Sequence, residues 1–355
     1  MVALPAVIYA ACMALTVISG AFRTGRGMSF DTVQTAFGPV QFLMLGTVAF
    51  SYAAVGHGKV LLDRFVAVGV VVALWVVLEW ADFPWVRSLS FAVTDQKPVF
   101  LGHAATGVPR APGPFDQPHF AGAYLLVVLS VMAYRGIEHH RRSFVAASVV
   151  LAGIAGTGTA VIVLGSLVVL GMSLMMGEGS LRVVRRWLLA GVPAAVMACL
   201  ALVARLPYER PVGQGASAPV SLADRWDIWT SQFLPELGRH GRWLTGYGAG
   251  FADGMYPHPE SLYIGLLWRG GVVLLASYAL FLVCALRVGW VLRRSAQAAA
   301  LFTILVTFIP LNIVEPYFVD SGSPHALALL LGCVVVAWPA FAHGRPRSEP
   351  TVPTS

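Results

Sequence analysis

The sequence predicts an all-α fold: a polytopic transmembrane helical bundle of about ten spans, with a large, partly helical loop outside the membrane. Three observations predict it. First, 57% of the 355 residues are hydrophobic and only 12% are charged, about half the charged share of a soluble domain. Second, the mean hydropathy is +0.73, more apolar surface than a water-soluble core could hide. Third, apolar runs of spanning length recur along the chain, with basic residues gathered in the short segments between them.

A spanning helix needs roughly 20 mostly apolar residues. Runs of that kind lie near 3–22, 37–56, 65–81, 119–135, 143–157, 159–177, 188–206, 267–289, 296–314 and 323–342. The first, MVALPAVIYAACMALTVISGAF, lacks a basic leading region and reads as a span, not as a cleaved signal. The stretch 143–177 is too long for one helix. Gly156-Thr157-Gly158-Thr159 in its middle predicts a tight turn and two spans.

Charge sets the orientation. With both termini cytoplasmic, the inner segments 57–64, 136–142, 178–187, 290–295 and the tail carry most of the dense basic clusters, such as Arg182, Arg185 and Arg186. That is the positive-inside pattern. The domain plan is a single transmembrane domain over 1–342 and a disordered cytoplasmic tail over 343–355. Two long outer loops lie at 82–118 and 207–266. Loops this long in a compact protein usually carry function.

The net charge is +7, yet the basic residues are broken up by apolar runs and form no continuous patch, so nucleic acid is not an expected partner. Only two of the 24 basic residues are lysine, Lys59 and Lys97. Cys12, Cys199, Cys284 and Cys333 all fall in apolar runs, which supports neither a disulfide framework nor a zinc site. No metal or cofactor is expected.

The chemistry-bearing residues concentrate in the second outer loop. In SLADRWDIWTSQFL, Ser221 and Asp224 resemble a capping box, and Leu222, Trp226, Trp229 and Phe233 recur at helical spacing. An amphipathic interfacial helix is expected, with Arg225 at the border of its apolar stripe. Arg225 is either a headgroup-level anchor or a guanidinium gripping a lipid-linked phosphate. In GYGAGFADGMYPHPESLY, glycines at 246, 248 and 250 allow a tight backbone path. His258 and Glu260 then precede an apolar helix. Either is a candidate general base on a sugar hydroxyl; the bland alternatives are a solvated histidine and a helix-capping glutamate. Arg205 and Arg210, Glu79 and Asp82, and Asn312 and Glu315 stand at ends of spans, where interfacial anchoring is the usual role. His119 opens another span, as a candidate or a cap.

The order of these features resembles a family. An outer Arg-x-x-x-Trp helix (RWDIW, 225–229), a Gly-x-Gly turn (GYGAGF, 246–251) and a polar motif running into a Gly-containing helix (HPESLYIGLLWRGG, 258–271) are similar to the O-antigen ligases and polymerases of bacterial envelopes. The resemblance covers roughly 119–290. It implies a metal-independent glycosyltransferase of the bacterial cytoplasmic membrane. Such an enzyme moves a glycan from a polyprenyl-diphosphate carrier to a hydroxyl of a glycan or lipid acceptor on the outer face.

By the same resemblance Arg225 would clamp the carrier's diphosphate, and Tyr256, Tyr263 and Trp229 would line the substrate site. Counting back from Gly271 through Tyr263 puts Glu260 in the family's base position, with His258 two residues early. The family often carries Ser-Arg-Gly at the turn between the spans at 143–177. This chain has Gly156-Thr157-Gly158, so that phosphate contact would fall to Arg205 or Arg210. Two other classes remain: a transporter or flippase of lipid-linked sugars, against which the scarcity of mid-span charge argues, and an inactive scaffold in envelope assembly.

Overall fold

A computed structural model of the chain describes residues 2–23, 30–94, 110–115, 117–134, 140–176, 222–248, 259–317 and 323–336. The predicted span at 188–206, residues Arg205, Arg210, Tyr256 and His258, and the tail lie outside these residues. Among the described residues the regular structure is helical, with no strand. The helices in chain order are α1 (Ala3–Arg23), α2 (Phe30–Ala54), α3 (Gly58–Trp80), α4 (Pro84–Thr94), α5 (Pro118–Tyr134), α6 (His140–Gly156) and α7 (Ala160–Met176). They continue with α8 (Leu222–Ile228), α9 (Leu234–Arg239), α10 (Leu262–Val291), α11 (Ala296–Val314) and α12 (Ser323–Val335). A π-helical turn over Trp229–Phe233 joins α8 to α9.

Three of these, α3, α10 and α11, are long and apolar enough to cross a membrane. The surface agrees: Val68, Val71 and Leu74 of α3 and Val272, Val273, Leu280 and Val283 of α10 stand exposed. Water would penalise such faces by about 25 cal/mol per Å² of apolar area, whereas lipid does not. The chain is a helical membrane protein.

The helix breaks at 157–159, as the glycine-threonine run predicts. One expectation needs correction: the segment 57–64, read as a loop, belongs to α3 from Gly58 onward, so Lys59 and Arg64 ride on its first turns. The stretch 82–118 contains α4, which begins at Pro84, a residue suited to a first helical turn.

α5 and α11 form the middle of the bundle. They are joined by hydrogen bonds that satisfy polar groups away from water: Ser130 Oγ donates to Ala300 O at 3.0 Å, and the Tyr134 and Thr303 hydroxyls lie 2.6 Å apart. α12 lies against α2 through a close glycine contact. A Cβ on Gly332 would sit 2.3 Å from Gly46 O, so only glycine allows this approach.

α10 is kinked near its start, at Gly271 (φ 65°, ψ −161°). The backbone groups freed by the kink are taken up by the segment after α9. Val272 N donates to Trp243 O and Tyr247 N donates to Trp268 O, both at 2.7 Å, and Gly248 N donates to Arg269 O at 2.8 Å. At membrane depth such groups must find partners inside the protein. Gly246 has φ 62°, and a Cβ there would fall 2.5 Å from Arg269 O's own carbonyl carbon. The Gly-x-Gly turn is therefore a backbone dock that fastens the α8–α9 unit to α10.

Candidate functional site

Docking brings α8 against the entry to α10. Trp229, Phe233 and Leu237 pack with Leu267 and Trp268 in one buried cluster, and Tyr247 stacks on Trp268 at 4.4 Å. The expected apolar stripe is only partly buried: Trp226, on the same predicted face, is 60% exposed. Ser221 and the side chains of Leu222 and Asp224 lie outside what is described. The Trp229 indole donates to the Pro259 carbonyl, which ties α8 to the residue before Glu260.

Glu260 itself has φ 50°, left-handed backbone that a residue with a Cβ rarely adopts. Such a conformation costs about 1–2 kcal/mol and persists only where the surroundings hold it. Here they do: Pro259 is held by Trp229, and Ser261 Oγ donates to Asn312 O at 3.5 Å. Ser261 is the N-cap of α10, so the carboxylate stands at the positive end of that helix's dipole.

Arg225 turns inward, its side chain 12% exposed. Nη2 donates to Glu260 Oε2 at 3.0 Å and to Glu315 Oε1 at 3.1 Å. Nη1 donates to the Val314 carbonyl, one of the last carbonyls of α11, which no turn of that helix can satisfy. Arg225 is the cation that joins α8, the α10 entry and the α11 terminus.

Glu315 follows α11 as its C-cap. Burial, and then the negative charge of Glu260, push its carboxyl up to about 7, against the pull of Arg225 and Arg110. Its other oxygen lies 3.9 Å from His119 Nε2. Tyr317 is fully buried beside His119, ring centroids 6.0 Å apart, and its hydroxyl stays protonated because burial raises its pKa. Around Arg225 lie polar atoms with no hydrogen-bond partner among the described residues: Arg225 Nε, the Asn312 side-chain amide and the Tyr317 hydroxyl. Buried polar atoms without partners are uncommon in folded proteins and point to a ligand or water.

A second arginine stands at the 157–159 turn. Arg110 Nη2 donates to Thr159 Oγ1 at 3.2 Å, and Nε donates to Thr157 O at 3.4 Å. The strap that carries it is pinned twice: Ala111 N donates to Gly156 O at 3.1 Å, and Gly113 N donates to Glu79 Oε2 at 2.8 Å. Gly158 must be glycine here, because it has φ 60° and a Cβ would meet Arg110 Cγ at 2.9 Å. Burial lowers the Arg110 pKa, and the negative charge of Glu315 opposes the shift; a guanidinium remains charged throughout. The charges of Arg110 and Arg225 both bear on His119, Glu315 and Tyr317.

Of the residues expected from sequence, Arg225 and Glu260 meet directly. Trp229 and Tyr263 are engaged nearby: the Tyr263 hydroxyl donates to Ile309 O at 2.8 Å and ties α10 to α11. Glu79 holds the Arg110 strap, whereas Asp82 pairs with Arg87 at 2.6 Å. Arg205, Arg210, Tyr256 and His258 lie outside the described residues. Sequence reasoning missed Arg110 and ranked Glu315 with the anchors. The signal for Glu315 was an acid after Asn312 at the end of an apolar helix; for Arg110 it was a lone arginine in a Pro- and Gly-rich strap. No family model matches this chain, and no curated protein matches it.

Proposed function

We propose that the protein is a glycosyltransferase of the O-antigen ligase and polymerase type in the bacterial cytoplasmic membrane. In this reading about ten spans keep both termini inside and open the site to the outer face. The donor is a polyprenyl-diphosphate glycan, and the acceptor is a hydroxyl on a glycan or lipid. The observation that carries the reading is the meeting of Arg225 and Glu260 at 3.0 Å across 35 residues of chain.

The chemistry follows from charge. The acceptor oxygen attacks the anomeric carbon, the bond from that carbon to the diphosphate oxygen breaks, and the acceptor proton passes to a base. Diphosphate gains negative charge as it leaves, and preorganised guanidiniums stabilise that change. Arg225 supplies one. Arg110 supplies the second at the 157–159 turn, where the resemblance puts an arginine and this sequence has none. Glu260 is the base, or His258 two residues before it. Glu260 stands before the N-terminus of α10, with its carboxylate bonded to the same guanidinium that would meet the diphosphate.

The test is direct. Purified protein in liposomes, given a polyprenyl-diphosphate glycan and candidate acceptors, is expected to form extended or transferred glycan and free polyprenyl diphosphate. Carrier translocation without bond formation would replace this reading with a transporter, and neither activity would leave a scaffold. In the same assay Arg110→Ala is expected to raise the donor KM about 10- to 100-fold, the worth of hydrogen bonds to a charged group, with a smaller fall in kcat. An unchanged donor KM would remove Arg110 from the site.

A further inference from the structure

Arg225 is held in a way that leaves it open to exchange. Both carboxylate bonds fall on one nitrogen, Nη2, while Nη1 serves a carbonyl and the buried Nε has no hydrogen-bond partner among the described residues. A guanidinium grips an anion best as a fork, two parallel N–H bonds to two oxygens of one group. Neither glutamate takes that fork. Both carboxylates bond to the same guanidinium nitrogen, and the negative charge of Glu260 bears on Glu315.

Their helix positions differ in sign. Glu260 precedes the N-terminus of α10, where the dipole favours a negative charge, and Glu315 caps the C-terminus of α11, where it disfavours one. Glu315 is also the less exposed, 18% against 25%. Glu315 is therefore the carboxylate that gives way.

We propose that Glu315 is an exchangeable counter-ion: a phosphate-bearing ligand takes the fork of Arg225, and Glu315 binds a proton from solvent as the guanidinium leaves it. This rests on the anion-binding reading of Arg225 given above, but not on the transfer step. Among the described residues, the charged and titratable groups around Glu315 are Arg225 on α8, Glu260 before α10, His119 on α5, Arg110 on its strap and Tyr317 beyond α11. The arriving phosphate cancels the cation that Glu315 has lost and adds a negative neighbour. Both effects drive the proton on.

With the free carboxyl near 7, uptake is largest above that pH. Affinity for the ligand falls as pH rises, by up to about tenfold per unit for one linked proton. A polyprenyl-diphosphate sugar is a suitable probe, because each of its phosphates carries one ester and one anhydride link and keeps no group that titrates in this range.

Calorimetric titration of the full-length protein with that probe, in two buffers of different ionisation heat, counts the protons taken up. Wild type is expected to take up as much as one at alkaline pH, and an infrared difference spectrum is expected to show a new protonated-carboxyl band. Glu315→Gln is expected to bind without proton uptake, without the band and without pH dependence; His119→Gln is expected to keep all three. If Glu315→Gln does not fold, Glu315→Asp decides, since it must keep the uptake and shift the band. Uptake that survives in Glu315→Gln, or is lost in His119→Gln alone, would overturn the proposal, as would binding by wild type that is flat with pH. Proton-linked binding without any glycan product would leave it standing and remove the transferase reading. Transfer with pH-flat binding would do the reverse.

Discussion

Arg225→Ala is expected to lower glycan transfer by a factor of about 100 or more, the usual loss when one preorganised donor to a developing charge is removed. The effect has two sources that can be separated. The first is the leaving diphosphate, which loses its guanidinium. The second is the cluster itself: without Arg225, Glu260 and Glu315 face each other with no shared cation, and the Val314 carbonyl loses its donor. Removing one partner of a buried ion pair costs about 3–5 kcal/mol, with the lower figure fitting carboxylates that retain some solvent.

Arg225→Lys distinguishes the two. It keeps the charge and most of the stability, yet a lysine has no fork. Thermal stability in detergent should recover in the lysine variant while transfer should not. Transfer at the wild-type rate in Arg225→Ala would remove the diphosphate role altogether.

Much of the fold was legible because lipid imposes a simple rule: a spanning segment is apolar and about 20 residues long. The helices from α1 to α3, α5 to α7 and α10 to α12 fall on predicted apolar runs. The break at 157–159 was legible because Gly158 takes a positive φ. α4 was hidden inside a stretch rich in Gly and Pro, whose composition says loop while its first residues start a helix.

The site was legible one residue at a time and not as an assembly. Arg225 and Glu260 each stood out, but their contact is a tertiary fact set by the dock of 243–248 on the α10 kink. Glu315 read as an anchor because most charges at helix ends are anchors; only the fold shows it sharing a guanidinium. Arg110 offered only a lone arginine in a Pro- and Gly-rich strap. Its place depends on Glu79, whose carboxylate accepts from Gly113 N across 34 residues.

Glu260 carries the second large effect. Glu260→Gln keeps the shape, the left-handed backbone and an acceptor for Arg225, and removes only the basicity. A positioned general base contributes about 100- to 10,000-fold, so kcat should fall by that order while the donor KM holds or improves, because one competitor for the guanidinium is neutral. That split separates a base from a structural partner: an ion-pair role would raise KM or lower thermal stability, and a base role does neither. Glu260→Asp should recover part of kcat if the carboxylate can reach the acceptor from a backbone fixed at φ 50°. A full rate in Glu260→Gln would shift the base to His258, two residues upstream. His258→Gln would then have to show the loss that Glu260→Gln did not. Because the bond from Arg225 Nη2 to Glu260 Oε2 couples base to leaving group, the double variant Arg225→Lys with Glu260→Gln should lose less than the product of the single losses. Residues that act as one unit are not additive in this way, and strictly multiplicative losses would mean that they act on different steps.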